Sequence, residues 1–257
     1  MIRIPSRVVV ASVLSLGALA SASACGALAQ VRAQAPAAPS HSARPSPAAP
    51  PSPVPLTEAQ ARAALVTEGD LGEPWAATQG AATWRDGVLK ATAEAPDCRR
   101  LLDALYTDDL FGTEGGTRAV TGLDDAMDQA QLRYQVLTLD PAGVDRTLAW
   151  LGSLPQTCAR FTATTDHGAR EEVLVGAAEL PDVGDARQGL RVTFTSETGD
   201  GEQTVLTLDV AVVRVGDATI ALTHGGPGFV SADATKAFVQ VGVARLADVR
   251  KQARLRV

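Results

Sequence analysis

Asparagine is absent from this 257-residue chain, lysine occurs three times (Lys90, Lys236, Lys251), and aromatic residues make up only 4%. Without asparagine there is no N-glycosylation acceptor and no Cys-His-Asn catalytic set. Twenty arginines against three lysines, together with 46 alanines, point to a GC-rich coding sequence. Positive charge is in the minority: 23 basic residues face 29 acidic ones, the formal charge is −6 and the pI about 5.1. A nucleic-acid partner is therefore not expected. No two of the three cysteines have histidines near them in sequence, so a zinc site lacks ligands, and no metal or cofactor is expected. There is no P-loop and no dinucleotide glycine fingerprint. The 46% of hydrophobic residues is ordinary for a globular core, so disorder over the whole chain is excluded.

Residues 1–24 read as an export signal. Arg3 and Arg7 precede an apolar run from Val8 to Ala20, and small residues follow. The run is shorter than the roughly 20 residues that cross a bilayer. It ends in Ala22-Ser23-Ala24-Cys25-Gly26, which resembles a bacterial lipobox. That resemblance implies cleavage before Cys25 and a diacylated Cys25 thiol, a stable anchor on the outer face of the cell membrane. Simple secretion is the alternative, with cleavage at Ala24 or after Ala27-Leu28-Ala29. With the signal removed the net charge becomes −8.

Residues 25–55 are the expected anchor and linker. Positions 30–55 hold eight prolines, seven alanines and four serines without an apolar period. Such a segment favours extended polyproline II and reaches about 80 Å at roughly 3.1 Å per residue.

Residues 56–257 carry the patterns of a folded domain. Thr57 and Gln60 form a capping-box signature ahead of a short helix to about Val66. Asp97 is placed to cap a helix over 98–106 with Cys98, Leu101, Leu102 and Leu105 on one face. Strands are expected at 117–122 and 129–139. Asp140-Pro141 opens a helix ending near Pro155, with Cys158 just beyond. The period then changes to two, with strands over 159–165, 170–179, 189–198, 203–215 and 218–223. Turns at Gly199-Asp-Gly201 and Gly216-Asp217 make the last three an antiparallel meander. A final helix from Ser231 to about Arg254 carries Phe238, Val239, Gly242, Val243, Leu246 and Val249 in one stripe. The fold class is α+β: a twisted antiparallel β-sheet packed against helices.

If Cys25 carries lipid, Cys98 and Cys158 remain, each beside an apolar helical stripe, and one disulfide between them is expected outside the cytoplasm.

Several residues mimic catalytic motifs. His224-Gly-Gly-Pro-Gly228 looks like the oxyanion loop of α/β-hydrolases, but there is no Gly-x-Ser-x-Gly, and it reads better as a turn into the last helix. His167 reads as a hairpin tip and His41 lies in the linker. The pairs Asp108-Asp109, Asp124-Asp125 and Glu171-Glu172 read as solvated turns. Arg250, Lys251, Arg254 and Arg256 complement the dipole at the last helix's C-terminus.

One sheet face is expected to be core: Leu132, Tyr134, Val136, Val192, Phe194, Leu206, Leu208, Val210, Val212, Ile220 and Leu222. The opposite face carries Arg133, Gln135, Arg191, Thr193, Thr195, Thr207 and Asp209. Open to water, that face is simply solvated. Roofed, it becomes a polar cleft in which Arg133 and Arg191 clamp an anion, with Gln135 and Asp209 beside them.

Taken in order, the lipobox, the Ala/Pro linker, Asp97-Cys98-Arg-Arg-Leu-Leu, Cys158-Ala-Arg-Phe161, Leu180-Pro-Asp-Val-Gly-Asp185 and Val213-Arg-Val-Gly-Asp-Ala-Thr-Ile220 resemble the actinobacterial lipoproteins with a PknH-like extracellular sensor domain. The resemblance covers about residues 56–254. It implies a non-catalytic sensor-like domain in the cell envelope with a cleft for an unknown small-molecule or envelope ligand, and a monomer is expected. The kinase-attached members carry two disulfides, whereas only one pair is available here. An accessory protein-interaction module is the second reading, and a hydrolase the third.

Overall fold

The computed structural model describes residues 55–80, 84–112, 116–197 and 201–255. Cys25, the expected export signal and nearly all of the expected linker lie outside the described residues. Thr57 caps helix α1 (Glu58–Ala63): its hydroxyl accepts the Gln60 N–H while the Gln60 side chain accepts the Thr57 N–H. A one-turn helix, α2 (Glu68–Leu71), and strand β1 (Trp75–Ala77) follow. Next come a π-helical turn at Arg85–Leu89, strand β2 (Ala91–Thr92) and helix α3 (Pro96–Thr107). Helix α3 starts earlier than its sequence suggests. Ala95 is the N-cap and Pro96 takes the first helical position, where its missing N–H costs nothing, so Asp97 lies inside the first turn.

Strands β3 (Arg118–Asp125) and β4 (Ala130–Thr138) lead to helix α4 (Pro141–Thr157). Asp140 caps α4 through the Gly143 N–H at 3.0 Å, and the helix runs through Pro155 to its C-cap at Cys158. Five strands follow: β5 (Arg160–Thr165), β6 (Arg170–Ala177), β7 (Ala186–Glu197), β8 (Gln203–Val215) and β9 (Ala218–Pro227). Helix α5 (Ala232–Leu255) ends the described chain. The expected turn at His224–Gly228 is instead the end of β9. Gly225 and Gly226 are strand glycines there, and a Cβ on Gly225 would lie 1.9 Å from the Leu208 side chain.

All nine strands join one antiparallel sheet in the order β1-β3-β4-β9-β8-β7-β6-β5-β2. The α+β reading holds. Cys98 and Cys158 form the disulfide, with Cα atoms 5.6 Å apart, tying α3 to the end of α4.

The single core face does not hold. The register puts Leu132, Tyr134, Val136, Ile220 and Leu222 on one face, against α1 and α5. Val192, Phe194, Leu206, Leu208, Val210 and Val212 lie on the other face, against α3 and α4. The central strands are covered on both sides, so they bury both sets of side chains.

Candidate functional site

The same register divides the four expected ligand residues. Arg133 and Gln135 share the α3/α4 face; Arg191 and Asp209 share the α5 face. They cannot act in one cleft.

Arg133 and Gln135 fasten a chain crossing. Asp108 ends α3 in the left-handed conformation (φ 54°). Its carboxylate accepts Arg133 Nε at 3.2 Å and pairs with Arg85 Nη2 at 2.9 Å, while its carbonyl accepts Gln135 Nε2 at 2.7 Å. Arg85 also donates to the carbonyls of Leu105 and Tyr106 at the end of α3. Asp108 and Asp109 are thus a half-buried anchor and an ion-pair partner of Arg118, not a solvated turn.

Arg191 is arranged differently. On β7 it faces Asp209 on β8, and its guanidinium makes a bidentate bridge, Nε to Oδ1 at 2.7 Å and Nη2 to Oδ2 at 2.8 Å. Nη2 also donates to the Val230 carbonyl at 3.1 Å, and the Phe229 ring lies 5.2 Å from the guanidinium carbon. Asp209 is buried. Its Oδ2 also accepts the Thr235 hydroxyl at 2.8 Å, and Thr235 Oγ1 lies 2.9 Å from His224 Nδ1. With the Thr235 proton committed to the carboxylate, these directions assign the His224 proton to Nδ1. Burial pushes the His224 imidazole down to about 4, so the ring is neutral at pH 7. Trp75 and Phe238 hold it edge-on at 5.7 and 5.1 Å.

This chain of partners forms the floor of a cleft of about 250 Å³ lined by Arg191, Asp209, Thr235, Lys236, Glu179 and Leu180. The α5 residues Thr235 and Lys236 were not in the sequence-based set. They belong to a helix whose stripe signalled packing only. Thr193, Thr195 and Thr207 do share this face with Arg191, as expected. Chemically the cleft presents a guanidinium held in a fixed plane and an ammonium on its rim. The hydroxyl beside His224 is that of Thr235, which is buried and gives its proton to Asp209.

The remaining acid pairs also depart from expectation. Asp125 is buried and accepts the Met127 and Asp128 N–H groups. Glu172 is exposed and pairs with Arg160, but Glu171 is 3% exposed, on the face of Val173 and Phe194. Its Oε2 has no hydrogen-bond partner among the described residues. Burial pushes its carboxyl up to about 7. The native state therefore keeps a proton that the unfolded chain releases above about 4.5, so stability is lost as pH rises from there to about 7 and is level beyond. Glu171→Gln is expected to match the parent near pH 4 and to exceed it by up to about 3 kcal/mol at pH 8, read from urea midpoints. Equal midpoints at pH 8 would contradict the burial argument. His167 sits at the exposed β5–β6 turn, as expected.

The sequence matches no family model and no curated protein. Among solved structures, the extracellular domain of PknH from Mycobacterium tuberculosis is similar, with 15% identity and a TM-score of 0.45 over 77% of this chain and 98% of that one. Among the described residues, no helix is long and apolar enough to cross a membrane.

Proposed function

We propose that this is an exported protein, held at the outer face of the cell membrane by a lipid on Cys25, whose folded domain binds a small anionic ligand without chemical turnover. The observation that carries the reading is Arg191. A buried carboxylate fixes its guanidinium at the floor of a cleft, Nη1 is without a partner among the described residues, and Lys236 stands at the rim. A planar donor set in advance loses little freedom on binding a carboxylate or phosphate. His224 is neutral, enclosed and tied to Thr235, which suits a structural role. The lipobox at Ala22–Gly26 and the proline-rich linker support display away from the membrane.

Mass spectrometry of protein purified from its native host tests both parts. A diacylglyceryl adduct on Cys25 and a co-purifying anionic small molecule are expected. Lys236→Ala, which removes only a rim side chain, is expected to lower ligand retention about tenfold with an unchanged melting temperature. Equal retention by this variant would remove the cleft from consideration, and an unmodified N-terminus beyond Cys25 would favour simple secretion.

A further inference from the structure

Strand β2 ends after two pairs, Ala91↔Thr165 and Thr92↔Thr164, because the chain turns away into α3. Strand β5 continues past it for four more residues, Arg160 to Ala163. Thr165 N–H bonds to the Ala169 carbonyl and Val175 N–H to the Ala159 carbonyl, so odd-numbered residues of β5 turn their backbone groups toward β6. Even-numbered residues turn theirs outward, as the bond from Asp166 N–H to the Lys90 carbonyl confirms. The outward N–H and C=O groups of Thr162 and Arg160 have no partner among the described residues.

These groups are not masked by a bulge or a proline, the usual protections of a sheet edge. They open into a groove of about 830 Å³ whose far wall is Ala93–Ala95 and Arg99 and whose floor includes Phe161, Thr162, Thr164 and Arg170. The groove continues the line that β2 leaves. We infer that it accepts an extended acidic peptide of a partner protein as an added strand beside β5. Residues exchanging both backbone bonds with Thr162 and Arg160 satisfy all four open groups. Side chains of the added strand alternate between the two faces. On one side they meet Thr162, Thr164 and Arg170, which makes no ion pair among the described residues. On the other they meet Phe161. Arg170 and Arg99 outnumber Glu94, the one carboxylate in the groove lining, so carboxylates fit the first side and apolar residues the second. The chain's own linker does not fit: positions 30–55 contain no acid, and their prolines cannot donate to a ladder.

The test uses the ¹⁵N-labelled full chain and the peptide Ac-Val-Asp-Val-Asp-Val-Asp-NH2. The Thr162 and Arg160 amides are expected to shift and to gain exchange protection. A Val-Lys peptide of the same length is expected to bind about tenfold more weakly, with Arg170→Glu reversing that order. N-methylation of alternate peptide nitrogens should abolish binding while leaving the protein untouched. Equal binding of the acidic and basic peptides would overturn the inference. So would unchanged affinity after N-methylation, or shifts confined to Arg191 and Lys236. Thr162 protection that grows with protein concentration without peptide would assign the edge to a second copy of the chain and overturn it too.

Discussion

Replacing Cys98 and Cys158 together by alanine is expected to lower stability by about 4 kcal/mol, the loop-closure entropy for a bridge across 60 residues. The prediction has a spatial component. The bridge joins the first turn of α3 to the C-cap of α4, and both cysteines are buried. Helix α4 has a further hold on the sheet through Val144, Leu148, Leu151 and Leu154. Helix α3 also buries Leu101, Leu102 and Leu105 and is fastened at Asp108, but its N-terminal end is reached from a two-residue strand and a π-helical turn, so that end depends more on the bridge. Reduction should therefore raise amide exchange in α3 and β2 before β7, β8 and β9. Urea unfolding of the parent, the reduced protein and the double variant measures the total; a loss under about 1 kcal/mol would show that the unfolded chain is already constrained. Free thiols at both positions in protein purified from its native host would refute the bridge outright.

The parts of this fold that carry strong local signals are the parts legible in the sequence. The Thr57 capping box, the Asp140-Pro141 start and the β7-β8-β9 meander each rest on contacts within a few residues. Face assignment does not. Within one strand the alternation of side chains is certain, but which face of β7 continues which face of β4 depends on registers set by loops and by two intervening strands. Burial on both faces removes the polar alternation that would have signalled the answer. Residues 206–213 of β8 are all buried, Thr207 and Asp209 among them. That is why Leu132 and Val192 were expected together and lie on opposite sides.

The candidate cleft was half legible for the same reason. Arg191 and Asp209 are directly paired neighbours, so reading the β7–β8 hairpin correctly placed them together. Arg133, on β4, lies two strands from Asp209 and three from Arg191, where a one-residue difference in register changes the face. Glu171 gave no sign of burial, because a Glu-Glu pair in a strand looks the same whichever member points inward. The short edge strands β1 and β2 have no periodicity to read, and the open backbone of β5 is visible only once β2 is known to stop early.

Gly242→Ala is expected to destabilise the protein by about 3 kcal/mol, although alanine in an exposed helix interior would stabilise it by about 1 kcal/mol. Gly242 lies on the buried stripe of α5, and its hydrogen faces the ring of Tyr134 on β4. An added Cβ would stand 2.1 Å from the Tyr134 hydroxyl oxygen, 2.8 Å from Cζ and 2.9 Å from Cε2. Neither partner can yield. Tyr134 is fully buried with Leu132 and Val136 beside it, and Phe238, Val239 and Leu246 hold the helix to the same core. The helix must therefore lift, which loosens contacts along its length. Tyr134 also identifies the compensating change. Its hydroxyl is buried without a hydrogen-bond partner among the described residues, and burial pushes its ionisation upward. Tyr134→Phe alone is thus expected to be neutral or slightly stabilising. Combined with Gly242→Ala it removes the shortest contact and leaves the two ring contacts, which a shift of about half an ångström relieves. The double variant should recover roughly half of the loss, giving a coupling energy of about 1.5 kcal/mol. Additive effects in thermal or urea unfolding would mean that α5 does not meet β4 at this point, and the face assignment built on Tyr134 would fall with it.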